Sequence, residues 1–159
     1  MNIFKFAMQM EKDGEKFYRN LAEEVGSAGL KTILNMLADD EVKHYEIFKA
    51  MSKNKETSLS ETKILKKSKN IFMRIQGEKI EPNIEQIDLY KKAQEIELKS
   101  QEFYEEKAKE VTNVAQKKLL LKIAEEEKRH YFLLENIIVF ISRPRTWLEN
   151  AEFFHLEEY

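Results

Sequence analysis

The sequence of 159 residues contains no cysteine, two prolines, four glycines and one tryptophan. Without cysteine there is no disulfide framework, no thiolate nucleophile and no iron centre held by thiolates. So little proline and glycine leaves scant material for the turns of a β-sandwich or barrel. Charge of one sign is missing too. The 27 Lys+Arg nearly balance 29 Asp+Glu, for a formal net charge of −2. No global field therefore selects nucleic acid or an acidic membrane, and local basic runs such as Lys66-Lys67-Ser68-Lys69 read as a solvated helix face. No apolar run reaches the roughly 18 residues of a membrane span. The opening "MNIFKFAMQMEKDGEKFY" lacks an apolar stretch followed by a small-residue cleavage site. A soluble cytoplasmic protein is expected.

What is present favours helices. Charged residues make up 35% and hydrophobic ones 42%, the balance of long amphipathic helices, and the length suits one compact domain over 1–159. A first helix is expected over 2–24, ending where Gly26 can take a left-handed position. Ser27 can cap a second, over 28–53. A third should start after Pro82, with Asn83 and Gln86 spaced as a capping box, and run to 111. Thr112 or Asn113 opens a fourth, ending at 142 before "RPR". The hairpins 2–53 and 83–142 are then joined by a crossover over 54–82. In it, Ile64, Leu65, Ser68, Ile71, Phe72 and Ile75 trace the stripe of a short helix. The expected fold is all-α, an antiparallel four-helix bundle with one long crossover and a tail over 143–159. In the tail, Trp147, Leu148, Phe153 and Phe154 indicate a short packing helix, and His155 reads as a surface histidine.

The two hairpins are copies. Glu11 and Glu97, Tyr18 and Tyr104, Glu41 and Glu127, and His44 and His130 all stand 86 positions apart. One offset aligning both helices of a pair marks an internal duplication. The apolar seam of the second helix, Leu30, Leu34, Leu37, Phe48 and Met51, keeps a three–four spacing only if Glu41 and His44 are counted in it. The fourth helix repeats this as Leu120, Ile123, Glu127, His130, Leu134, Ile137 and Ile141. In the first and third helices, Glu11 and Glu97 interrupt the seam in the same way. These are positions where a bundle wants Leu or Ile.

Four carboxylates and two imidazoles thus converge at mid-height. Each buried ionised carboxylate costs on the order of several kcal/mol, and no Lys or Arg falls on the seam at that level. Two divalent cations would balance four glutamates, and oxygen ligands mixed with imidazole suit iron or manganese better than zinc. A Glu and a His at i and i+3 lie one above the other on a helix, so both can reach one ion. One Glu on each of two helices, with Glu-x-x-His on the other two, is the pattern of ferritin-like di-iron and di-manganese proteins. Asp39 and Asp40 read as solvated or at most outer-shell residues.

The stretches "MEKDGEKFY" and "IELKSQEFY", with "DDEVKHY" and "EEEKRHY", resemble the rubrerythrin-like branch of the ferritin-like superfamily over residues 1–142. The resemblance implies a ferritin-like fold and a site of two iron ions, with manganese or a mixed pair as variants, reacting with dioxygen or hydrogen peroxide. It implies Glu11, Glu41, His44, Glu97, Glu127 and His130 as ligands, with Tyr18 and Tyr104 hydrogen-bonded to ligating carboxylates. Two departures stand out. Rubrerythrins proper carry a further carboxylate one turn after the lone glutamate of the third helix, where this chain has Ser100, repeat mate of Gly14. They also carry a cysteine-held iron domain, so turnover here implies an external electron-donor protein. The expected partners are that donor and a second copy in a homodimer, with no nucleic acid and no membrane.

An oxidoreductase is the leading expectation. Its alternatives are a ferroxidase or iron-storage protein, which needs a many-subunit cage, and a structural metal-binding module. Glu127→Ala is expected to lose metal in an elemental analysis, whereas Glu126→Ala, read as a surface change, is expected to retain it.

Overall fold

A computed structural model of the chain describes residues 2–81 and 83–143. Five helices follow one another: α1 (Ile3–Glu24), α2 (Ala28–Ser52), α3 (Ile64–Ile75), α4 (Ile84–Glu110) and α5 (Val114–Ser142). Among the described residues there is no strand. Trp147, Leu148, Phe153, Phe154 and His155 lie outside the described residues, and with them the expected tail helix.

The helix starts follow their caps. The side chains of Asn2, Ser27, Asn83 and Asn113 accept from the backbone N–H of Phe4, Leu30, Gln86 and Gln116 respectively. Each satisfies a donor that the first turn leaves orphaned. The end of α1 departs from expectation. No glycine among the described residues has positive φ, and α1 stops instead at Val25, which turns to extended backbone (φ −82°, ψ 140°). The left-handed residue is Asn54 (φ 54°), just past α2. There the N–H groups of Asn54 and Lys55 bond back to Met51 and Ala50. Asparagine tolerates this conformation better than other residues with a side chain.

α1 and α2 form one antiparallel hairpin, α4 and α5 the other, and α1 also touches α4 while α2 touches α5. Tyr18 of α1 bonds Glu97 of α4, and Tyr104 of α4 bonds Glu11 of α1, so the chain directions of α1 and α4 oppose. The core falls into two apolar clusters. One gathers Tyr18, Leu21, Leu30, Leu34, Tyr90, Leu134 and Ile137, with Ile71 and Phe72 of α3. The other gathers Ala7, Phe48, Met51, Tyr104, Leu120 and Ile123, with Leu59 of the crossover. The crossover therefore starts beside one cluster and ends beside the other, running along the bundle past its mid-height. Its helix buries Ile64, Ser68, Ile71, Phe72 and Ile75, and Leu65, the sixth residue of the stripe read from the sequence, is half-buried against the core.

α3 docks closely on α2. A Cβ at Gly29 would stand 2.8 Å from Cγ2 of Ile75 and 3.0 Å from Cγ2 of Ile71. Alanine there would gain about 1 kcal/mol of helix propensity but meet an overpacking cost of about 1–3 kcal/mol. Gly29→Ala should lower stability by on the order of 1 kcal/mol in urea unfolding, and adding Ile75→Ala should relieve the clash. Purely additive effects of the two substitutions would show that the contact does not limit α3 docking.

Candidate metal centre

Between the two apolar clusters lies a polar layer. Glu11 and Glu97 enter it from α1 and α4, Glu41 and His44 from α2, and Glu127 and His130 from α5, all six between 0 and 4% exposed. Two overlapping groups form. In the first, one ligand atom from each of Glu11, Glu41, His44 and Glu127 lies within 4.8 Å of all the others; in the second, the same holds for Glu41, Glu97, Glu127 and His130. Glu41 and Glu127 belong to both groups. Each hairpin thus supplies one position with its lone glutamate and its histidine, while the two shared carboxylates stand between the positions. The imidazole rings lie 6.0 Å apart at an interplanar angle of 21°.

The ligand atoms face one another across the layer. His44 Nδ1 is 3.0 Å from Glu127 Oε1 and 3.4 Å from Glu11 Oε2. His130 Nδ1 is 3.2 Å from Glu41 Oε1 and 3.3 Å from Glu97 Oε1. Yet Glu11 Oε2, Glu41 Oε1, His44 Nδ1, Glu97 Oε2 and Glu127 Oε1 are buried with no hydrogen bond. Native proteins leave few such groups, and each calls for a cause. A pair of divalent cations would satisfy these atoms at once, and the oxygen-rich donor set fits iron or manganese.

The outer sides of these residues are satisfied. The Tyr18 hydroxyl donates to Glu97 Oε1, and that of Tyr104 donates to Glu11 Oε1 at 2.6 Å. Each tyrosine thus restrains the lone glutamate of the opposite hairpin. Burial, then the neighbouring carboxylates, push both phenols well above their usual range, so they remain donors. The histidines cross over as well. His44 Nε2 lies 2.8 Å from Glu126 Oε1, and His130 Nε2 lies 2.9 Å from Asp40 Oδ2. A carboxylate at Nε2 favours a proton there and turns Nδ1 toward the layer, where a cation would take the place of the second imidazole proton.

These outer carboxylates decide the open choice at Asp40, which takes the outer position beside a histidine, and correct the reading of Glu126. Asp39 is indeed exposed, bonded to Arg19 at 2.7 Å, but Asp40 is buried. So is Glu126, at 3% exposure, where a surface residue was expected. A signal existed, because Asp40 and Glu126 obey the same 86-residue offset as the ligands. It was masked because both sit in runs of acidic residues that look solvated, and helical periodicity does not reveal contact with another helix's histidine.

The family model described as Rubrerythrin matches residues 2–138. The chain belongs to the rubrerythrin family. No curated protein and no solved structure matches it. Membership points to a di-iron carboxylate protein, in agreement with the buried carboxylate and histidine cluster.

At the place where this rubrerythrin-family chain lacks a further carboxylate, the two small repeat mates face the layer. A Cβ at Gly14 would stand 2.8 Å from Glu41 Oε2, so glycine there leaves room for that carboxylate. Beside it, a cavity of about 10 Å³ is lined by Gly14, Ser100, Glu41, Glu97 and Glu127, about the size of one water molecule. A larger, mostly apolar groove of about 340 Å³, lined by Met10, Gly14, Phe17, Ile96 and Ser100, lies outside it. The two share Met10, Gly14, Phe17, Ile96 and Ser100 in their linings.

Where no cation is bound, protons balance the charge. Burial, reinforced by the charge of Glu11 and other glutamates, raises Glu41 and Glu127 well above 4.5. Burial alone would depress the imidazoles, but Glu11 near His44 and Glu97 near His130 raise them well above 6.5. Glu11 moves the other way: burial raises it, and His44 with its hydrogen bonds lowers it further than that. Above 6.5 the unfolded chain has released protons that the fold still holds at the four raised groups, so stability of the metal-free fold must fall as pH rises. The lowered groups, Glu11 and Asp40, act only below their ordinary values of 4.5 and 3.8. Metal-free protein should therefore lose thermal midpoint on going from pH 6.5 upward, and metal uptake should release protons and tighten over the same range. A pH-independent midpoint and no proton release would contradict this charge balance. Glu126→Ala is now expected to weaken metal binding about 10- to 100-fold through His44, measured by titration against a competing chelator.

Proposed function

We propose that this chain is a di-iron oxidoreductase that reduces hydrogen peroxide or dioxygen with electrons from an external donor protein. The observation that carries the reading is the set of buried, unpartnered carboxylate and imidazole atoms converging from four helices. In this reading Glu11 and His44 would hold one metal and Glu97 and His130 the other, with Glu41 and Glu127, which belong to both groups, available to either. When bound, two iron ions supply the two electrons that convert one hydrogen peroxide, with two protons, to two waters.

The chain's own residues do the rest. The apolar clusters above and below the layer keep it dry, so charge changes at the centre act in a low dielectric. Tyr18 and Tyr104 each restrain one oxygen of a lone glutamate and leave its other oxygen unpartnered. Gly14 leaves space beside the Glu41 carboxylate, so that side chain would have room to adjust when the charge held in the layer changes. The groove at Gly14 and Ser100 gives a small oxidant its approach on the side of the shared carboxylates. The electrons would come from an external donor protein, since this sequence has no cysteine to hold an electron-transfer iron, and a homodimer is the proposed assembly.

Protein loaded anaerobically with two Fe(II) per chain should oxidise on mixing with hydrogen peroxide in stopped flow faster than free Fe(II) does. Glu127→Ala should lose at least one of the two ions. Oxidation no faster than that of free iron would rule out catalysis, and a 24-subunit particle on sizing would move the assignment to iron storage.

A further inference from the structure

The duplication supplies every group of the centre twice, but the crossover passes it once, and Thr62 is the residue that meets it. Its hydroxyl donates to Asp40 Oδ2 at 2.7 Å, and its backbone N–H donates to Glu126 Oε2 at 3.2 Å. These two carboxylates are the ones that hold Nε2 of His130 and His44. The same hydroxyl accepts from the N–H of Ile64 at 3.2 Å, which fixes its rotation and aims its proton at Asp40. Lys63, the N-cap position of α3, makes no side-chain cap, so Thr62 also serves the first turn of that helix.

We infer that Thr62 is a positioning residue for both histidines, acting through Asp40 on one side and Glu126 on the other. The inference rests on the metal-binding role proposed above. Its physical basis is orientation. A carboxylate steers an imidazole only while its own rotamer is held. Asp40 has a competing partner in the half-exposed Lys43, 3.8 Å from Oδ1. A bond from Thr62 to the oxygen that faces His130 keeps Asp40 turned inward. Glu126 is held differently, one oxygen on His44 and the other on the Thr62 backbone.

That difference makes the proposal separable from a general structural role. Thr62→Val removes the hydroxyl and leaves the N–H, so it should disturb the path to His130 and spare the path to His44. A residue that merely starts α3 would affect both positions alike, or neither.

The test uses the full chain titrated with Co(II), whose visible absorption gives stepwise affinities. The Nε2–H protons of metal-bound histidines give exchangeable, hyperfine-shifted proton signals, assigned with Asp40→Asn and Glu126→Gln. Thr62→Val should weaken one of the two Co(II) positions roughly tenfold, the lower end of the effect of losing an outer partner of a ligating histidine. It should move only the signal that Asp40→Asn moves, and Thr62→Ser should restore both readouts. Unchanged affinities, equal weakening of both positions, or no rescue by serine would overturn the inference. Circular dichroism checks the fold, and Thr62→Ala provides a second hydroxyl deletion should the valine variant fail to fold. Wild-type protein that takes up no pair of Co(II) ions would defeat the metal-site reading itself, a failure distinct from that of Thr62.

Discussion

Four carboxylates share one dry layer of this bundle, and the rest of the structure is arranged around their mutual repulsion. At these separations like charges cannot all remain ionised without compensation, and burial adds a desolvation cost of several kcal/mol per ion. Among the described residues, no Lys or Arg forms an ion pair with Glu11, Glu41, Glu97 or Glu127. The compensating charge must be small, mobile and multivalent, or else be protons. Protons restore neutrality but leave Glu97 Oε2 without a directed partner. Two divalent cations meet both requirements, which is why the charge argument and the hydrogen-bond argument reach the same answer.

Such a layer divides a hydrophobic core, and the bundle manages the division with aromatic groups on either side. Phe48 and Tyr104 pack at 5.0 Å between ring centroids below it, and Phe72 and Phe140 at 5.4 Å above it. Tyr104 serves both worlds: its ring belongs to the lower cluster and its hydroxyl to Glu11. At the far end, Arg143 donates to the carbonyls of Gln76 and Glu78, tying the end of α5 to the segment that leaves α3. The crossover is thus pinned both at the end of the bundle and at mid-height.

Duplication and asymmetry have separate consequences. The repeat puts equivalent side chains in both candidate ligand groups, down to the outer pair Asp40 and Glu126. Two features break the equivalence: Gly14 opposes Ser100 where a side chain would crowd Glu41, and a single crossover lies along α2 and α5. Two cation positions with nearly equal ligands and unequal surroundings would differ without any change of ligand type.

By itself the sequence determined the four long helices, the crossover helix and the six inward residues. Each depends on periodicity or on a repeated offset, and both survive without knowledge of which helices touch. Tertiary structure alone decided the cross-hairpin partners: Tyr18 with Glu97, Tyr104 with Glu11, His44 with Glu126, His130 with Asp40. It also decided that the helix end favoured for Gly26 is made by Val25 and that the left-handed residue is Asn54. The reason is the same in each case. Seam spacing reports only that a side chain faces inward, whereas its partner depends on the register between helices, which packing of both apolar clusters sets. An acidic residue beside the seam, such as Glu126, is indistinguishable from a solvated one until the facing histidine is in place.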